Sequence, residues 1–508
     1  MPRSALLLAT LLLSLLLGTG PARPATPSDS TIAPGAPGRS AAVLAPAVAR
    51  HPGGAATDSA RRAYRAWIAR VHARALADSA AHADSLAAAG RAPRADSLAD
   101  VDSLAAAAPS SPHDDYVARV RANFTPQNRD YATAQTALGF LGPLYGILLG
   151  LFVLFSGLAA WMRDIARNLS RRSYVQTLVY LALYLALAFV LEFPLVFFQD
   201  FALERQYGLM NQAFGPWLVD QLKALLVALV GFGVVPLLWL AYRPIRRFPR
   251  HWWLALGLGT LPVILAMAFL QPLVVDPLFN HFTPLADKRL EARILETTAR
   301  AGIPARHVFQ MDASRQSNRY NAYVSGFGVS QRVVLWDTTL KGMTPDEIVF
   351  VVSHEAAHYR LHHMWWGILF YTGLSFVLFG LASVLVRGAI ARWGDRWGFG
   401  EPHDLASLPL FIVTLTLLGF LAQPGVNAFS RRIEHDADTY GLELTHANDA
   451  AARAFIKLGA QNRSDPEPTP VVELFQYSHP PLIERVRFAE SYRPWQEGRP
   501  DRLFHPRR

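Results

Sequence analysis

From about residue 130 onward the chain alternates long apolar runs with mixed, charged segments. Six runs stand out: Thr136–Met162, Tyr174–Phe198, Leu222–Tyr242, Trp252–Leu270, Trp365–Val386 and Leu405–Ala422. Each comes near or exceeds the roughly 20 residues that cross a bilayer core as a helix. Inside lipid every backbone amide needs an internal partner, so the runs predict transmembrane helices. Glu192 and Pro194 interrupt the second run, and Asp220 and Lys223 open the third. Ionisable groups at that depth point to a bundle interior or a wet chamber, with helix-end snorkelling an equal alternative for Lys223. Residues of ordinary charge density fill about 276–363, between the fourth and fifth runs, and about 430–508, after the sixth.

The amino-terminal region reads differently. A basic Met-Pro-Arg start, an apolar stretch from Ala5 to Leu17 and small residues up to Ala25 form a signal-peptide pattern, with cleavage expected near Ala22 or Ala25. The alternative is an uncleaved first transmembrane helix. Residues 26–128 are rich in Ala, Asp, Ser and Arg, with Asp-Ser-Leu-Ala recurring at 84, 96 and 102. So few large apolar side chains cannot offset the chain entropy, which predicts a flexible or partly helical extension.

Composition sharpens the picture in three ways. Only 17% of the 508 residues are charged, against about 25% in an average soluble chain, which agrees with a chain largely in lipid. The complete lack of cysteine excludes disulfides, thiol nucleophiles, iron–sulfur clusters and cysteine-ligated zinc. A metal site here would have to use His and carboxylate. The net charge of +10 sits in arginines flanking apolar runs, so no nucleic-acid partner is expected; the bilayer is the partner. Arg163, Arg167, Arg171 and Arg172 follow the first run, Arg243, Arg246, Arg247 and Arg250 the third, and Arg387, Arg392 and Arg396 the fifth. Positive loops stay cytoplasmic, which puts the two soluble segments on the far side: the periplasmic face of a bacterial inner membrane.

Within those segments lies His354-Glu355-Ala356-Ala357-His358. Thr344, Pro345 and Glu347 supply an N-cap, a first-turn proline and a capping box, so the motif falls on a helix. Two His four apart share one helical face and can share a tetrahedral zinc, with Glu355 beside them as a general base. Glu434 and Asp438, also four apart, offer a third ligand and an acceptor for the free ring N–H of a ligand His. Three protein ligands leave one position open, the catalytic form of such a site, for one zinc per chain. Near the carboxyl end, His479 and Arg485 flank a Pro-Pro turn and are candidates to stabilise an oxyanion, though read alone they form an ordinary turn before a helix. Asn321, Ala322 and Tyr323 lead into a β-rich stretch, Val324–Trp336, whose edge could hold an extended peptide or form a simple hairpin. These features predict a membrane-embedded zinc endopeptidase acting on a peptide or protein substrate. A transporter or scaffold with structural zinc is the alternative, disfavoured by a site with three ligands and a base. Oligomeric state is not readable from the sequence.

From about Asn128 to its end the chain resembles the type I CAAX prenyl endopeptidase family, integral-membrane gluzincin metalloproteases. The matching blocks are Arg129-Asp130-Tyr131, Phe193-Pro194, Glu204–Gly208 with Asn211, Pro277–Leu285, Asn321-Ala322-Tyr323, Val333–Thr338, the HExxH helix, the Glu434/Asp438 segment and His479-Pro480. The resemblance implies a mainly α polytopic fold, six or seven transmembrane helices around a water-filled chamber, with a gluzincin-like zinc-protease domain containing a small β-sheet. It also implies zinc on His354, His358 and Glu434, Glu355 as base, His479 and Arg485 assisting the transition state, and Asn321, Ala322 and Tyr323 holding substrate backbone. The expected layout is a signal peptide or first helix at 1–25, the extension at 26–128, a transmembrane region at 129–275, a protease segment at 276–363, a transmembrane hairpin at 364–429 and a second protease segment at 430–508. Two departures are the long extension and a charge pattern that puts the site outside the cytoplasm. Membrane-associated, lipidated or misfolded proteins are therefore the expected substrates.

Overall fold

A computed structural model describes residues 115–505, apart from 228, 230–233, 304 and 326–331. The readings for residues 1–114 and for Gly326 and Gly328 lie outside the described residues. The first described helix, α1 (Tyr116–Asn123), is capped by Asp115 and buries Tyr116 and Val120. The stretch read as an extension to 128 thus includes, at its end, a helix seated in the protease core.

Five helices among the described residues are long and apolar enough to cross a membrane. They are α2 (Pro126–Phe155), α4 (Ser173–Phe197, continuing to Gln206), α7 (Trp252–Leu270, continuing to Phe279), α10 (His363–Trp397) and α11 (Leu408–Thr445). The first apolar run does not continue to Met162. Gly157 takes the left-handed conformation (φ 78°), which ends the span and starts a separate helix, α3 (Leu158–Leu169). The third run is carried by two described helices, α5 (Phe214–Leu226) and α6 (Val234–Arg247). A core of Leu154, Tyr180, Trp252, Phe379, Ala382, Val386, Phe411 and Leu415 ties the spans together.

One end of the bundle gathers the arginine loops. Arg163 donates to the Gly398 carbonyl (2.7 Å) and to Asp404, Arg167 pairs with Asp404 (3.1 Å), and Arg387 reaches the Pro249 carbonyl. The 35 residues of α10 separate this end from His363 by about 50 Å at 1.5 Å per residue.

At the other end sits the protease half. Its sheet has the order β1-β2-β4-β3, built from Phe282–Pro284, His307–Met311, Arg332–Trp336 and Ala322–Ser325. The β2–β4 pair is parallel and the other two are antiparallel, leaving β3 at an edge. Helices α8 (Lys288–Arg300) and α9 (Pro345–Arg360) pack on it, α12 (Asn448–Asn462) packs on α9, and α13 (Leu482–Ser491) packs on α12. Their shared core includes Ile294, Val333, Leu335, Phe350, Val352, Phe455 and Val486. A buried network of Arg319, Glu204 and Tyr131 joins this half to the ends of α2 and α4.

Candidate metal centre

Helix α9 begins as its sequence demands: Thr344 and Glu347 form a capping box, and Pro345 occupies the first turn. Glu347 is fully buried, and Arg453 (3.2 Å) and Lys457 (3.0 Å) pair with it. These pairs fix the start of α9 to α12, about two turns before the first His. At the motif itself α9 lies against α11 through Ala356, Ala357, Ala437 and Tyr440. Small side chains let the two helix backbones approach, so residues one turn apart on each meet across the seam.

There His354 Nε2 lies 3.1 Å from Glu434 Oε2 and 3.3 Å from His358 Nε2, while His358 Nε2 lies 3.8 Å from Glu434 Oε1. Tetrahedral bonds of about 2.0–2.1 Å would put ligand atoms about 3.4 Å apart, so this triangle fits a single cation. Buried Glu434 Oε2 has no geometrically sound hydrogen bond, an orphaned anionic atom that a cation would satisfy. Two imidazoles and a carboxylate in a cysteine-free chain favour zinc over the hard cations that prefer all-oxygen sites. His354 Nδ1–H donates to Asp438 Oδ1 (2.8 Å), turning Nε2 toward the centre. Asp438 in turn accepts from Arg485 Nε (2.8 Å) and Nη2 (2.7 Å).

The field at the centre follows from burial and from these carboxylates. Burial works against charge on His354, but the hydrogen bond to Asp438 and the adjacent Glu434 push its imidazole up to about 10. Those same groups would favour a bound cation. Burial pushes His358, farther from Glu434, down to about 3, leaving it neutral with a free lone pair. Burial also raises the Glu355 carboxyl to about 7. A carboxyl in that range exchanges protons readily near neutrality.

Most of the expected residues converge. His354, Glu355, His358, Glu434, Asp438, His479 and Arg485 share one locality, with His479 Nε2 3.2 Å from Glu434 Oε2. Arg485, read from sequence as an oxyanion donor, commits two of its nitrogens to Asp438 and stacks its guanidinium over Phe455 (4.2 Å). Asn321, Ala322 and Tyr323 lie at the start of edge strand β3, which packs on α9. There the Asn321 side chain accepts from the Ala322 N–H (2.8 Å) and Tyr323 donates to Asp276 (3.3 Å). His363 carried no role in the sequence reading beyond a His-rich helix end. In the structure its Nδ1 lies 3.1 Å from His358 Nδ1.

A bundle of apolar helices bearing a His-His-Glu centre at one end, beside a general-base candidate and the edge strand β3, defines an integral-membrane metallopeptidase. Comparison with known proteins agrees. Residues 284–493 match the model of peptidase family M48, and 117–281 match that of the CAAX prenyl protease N-terminal region with five membrane helices. The chain is 32% identical over 361 residues to the uncharacterized metalloprotease YhfN of Bacillus subtilis, covering 71% of this chain and 84% of that one. It is 30% identical over 311 residues to CAAX prenyl protease 1 of Saccharomyces cerevisiae, covering 58% and 67%. The crystal structure of Ste24p from S. mikatae superposes with a TM-score of 0.63 at 27% identity, over 73% of this chain and 89% of that one. The chain belongs to peptidase family M48, as a membrane metalloprotease of the CAAX-prenyl-protease-like kind. The alternative of a transporter or scaffold gives way.

Proposed function

We propose that this chain is a zinc endopeptidase holding one zinc on His354, His358 and Glu434, with Glu355 as general base. The triangle of ligand atoms, with its orphaned carboxylate oxygen, carries the reading. Zinc bound there would acidify water and polarise the scissile carbonyl. Glu355 takes the proton from the attacking water and hands it to the leaving amine. His479, at the rim of the triangle, donates to the developing oxyanion. Arg485 holds Asp438, and Asp438 holds the His354 ring in register. Substrate backbone lies along β3, where Asn321, Ala322 and Tyr323 face it.

The proposed substrates are membrane-associated, lipidated or misfolded proteins. The relative from Saccharomyces cerevisiae is named CAAX prenyl protease 1, which supports testing a prenylated peptide beside an unfolded protein. Zinc content and cleavage of unfolded casein and of a farnesylated CAAX peptide, measured on wild type, Glu355→Gln and Glu434→Ala, test the mechanism. Wild type should hold about one zinc and cut, Glu355→Gln should hold zinc without cutting, and Glu434→Ala should lose it. Undiminished cleavage by Glu355→Gln would overturn the base assignment.

The proposed location is a bacterial inner membrane with the centre on the periplasmic side, supported by the arginine loops at the opposite end. Absence of cysteine makes this easy to check. In spheroplasts, a membrane-impermeant maleimide should label Lys341→Cys at once and Arg171→Cys only after lysis. The reverse order would place the centre in the cytoplasm.

A further inference from the structure

We propose that His363 is a positioning residue for His358, fixing the tautomer and ring orientation with which His358 meets the metal. The inference rests on the zinc reading above and concerns a residue that the sequence pattern alone leaves idle. In an unbroken helix, five residues turn through about 500°, so His363 would point well away from His358. The helix is broken instead. After Arg360, Leu361 caps α9, and His362 adopts the left-handed conformation (φ 58°, ψ 30°), so α10 starts anew at His363. That single residue swings His363 back beneath His358, with ring centroids 5.1 Å apart and planes at 72°. A non-glycine residue at positive φ costs of order 1 kcal/mol or more, and such strain collects where placement matters.

The nitrogens assign themselves. His358 Nε2 faces His354 Nε2 and Glu434, so it is the atom that would meet the metal. Its proton therefore resides on Nδ1, where the nearest acceptor is His363 Nδ1 at 3.1 Å. His363 is buried, with 8% of its surface exposed, so water is a poor substitute for that acceptor. The two ligand rings are thus served alike: Asp438 takes the Nδ1 proton of His354, and His363 takes that of His358.

The test is zinc affinity by chelator competition, with the absorption spectrum of the cobalt-substituted protein as a second readout. His363→Leu fills similar space without an acceptor and should weaken zinc about 10- to 100-fold while altering the cobalt bands. His363→Asn, whose amide oxygen falls near the position of Nδ1, should stay within a few fold of wild type. His363→Met, flexible enough to refill the space, replaces Leu if that variant does not accumulate. Metal-free melting temperatures equal to wild type establish that affinity, not folding, has changed. His358→Ala is the control on the underlying reading. If it binds zinc like wild type, the ligand assignment itself fails. If it loses zinc while His363→Leu and His363→Met keep wild-type affinity and cobalt spectrum, the positioning role is overturned.

Discussion

The spans containing α7 and α11 are nearly equal in hydropathy, yet 12% of one apolar window is buried and 61% of the other. Helix α7 leaves Leu254 and Leu258 exposed on the outside of the described residues, as a lipid-facing side would be. Helix α11 packs on α2 and α10 with its first half, then runs on to carry Glu434 and Asp438. In water such a difference in burial would show as a difference in polarity, but lipid is as apolar as a protein core, so it removes that signal. What separates the two helices is what they touch. Around Glu434 the polar groups are paired in fixed geometry, whereas the lipid face tolerates any apolar residue of suitable size.

Substitutions in the two regions should therefore fail in different ways. The largest effect is expected at Glu355→Gln, which should lower kcat by about 10²- to 10⁴-fold while zinc content stays near one per chain. Next comes Glu434→Ala. Structural zinc binding of about 10–16 kcal/mol spread over three protein ligands puts one ligand at about 3–5 kcal/mol, or ~10²- to 10⁴-fold in zinc affinity. Chelator competition reads this directly, and an unchanged affinity would remove Glu434 from the centre. On the lipid face, Leu258→Lys should cost about 2.5–3.5 kcal/mol of membrane insertion. The measurement is the fraction of chain inserted in membranes, and any protein that does insert should retain wild-type zinc content. Full insertion would mean that this face of α7 meets water.

How much of this was legible depends on the range of the information. The His354/His358 and Glu434/Asp438 pairs were readable because each is a local four-residue spacing with a fixed helical meaning. Their convergence was not in the spacing; it follows from packing across the α9–α11 seam. The role of His363 was hidden because helical periodicity aims it elsewhere, and nothing local marks His362 as the break. Arg485 was placed near the site, but its attachment to Asp438 joins positions 47 residues apart. The first span was overrun because composition sees Leu158–Met162 continuing the apolar run, whereas Gly157 turns the chain. The place of helix α1 in the core was not legible because Tyr116 and Val120 lie in a mostly polar stretch and are buried by partners that include α12 and α13, far along the chain.

The smallest predicted effect lies at Gly441, where the two kinds of region meet. A Cβ added there would come within 3.3 Å of both the His354 backbone nitrogen and the Phe350 ring. Contacts that short require the neighbours to give by a few tenths of an ångström. Replacing Gly by Ala in a helix gains about 1 kcal/mol from propensity, while overpacking costs about 1–3 kcal/mol, so stability should fall by only ~0–2 kcal/mol. Zinc affinity should be the more sensitive readout, because the displaced backbone carries the ligand His354, whose ring is already held by Asp438. Gly441→Ala should therefore bind zinc several-fold more weakly at a nearly unchanged melting temperature. Gly367 on α10, whose added Cβ would meet nothing, is the matched control: Gly367→Ala should gain the propensity and leave zinc alone. If Gly441→Ala behaves like Gly367→Ala, the α9–α11 seam is slack, and the close helix approach is not what sets the geometry of the centre.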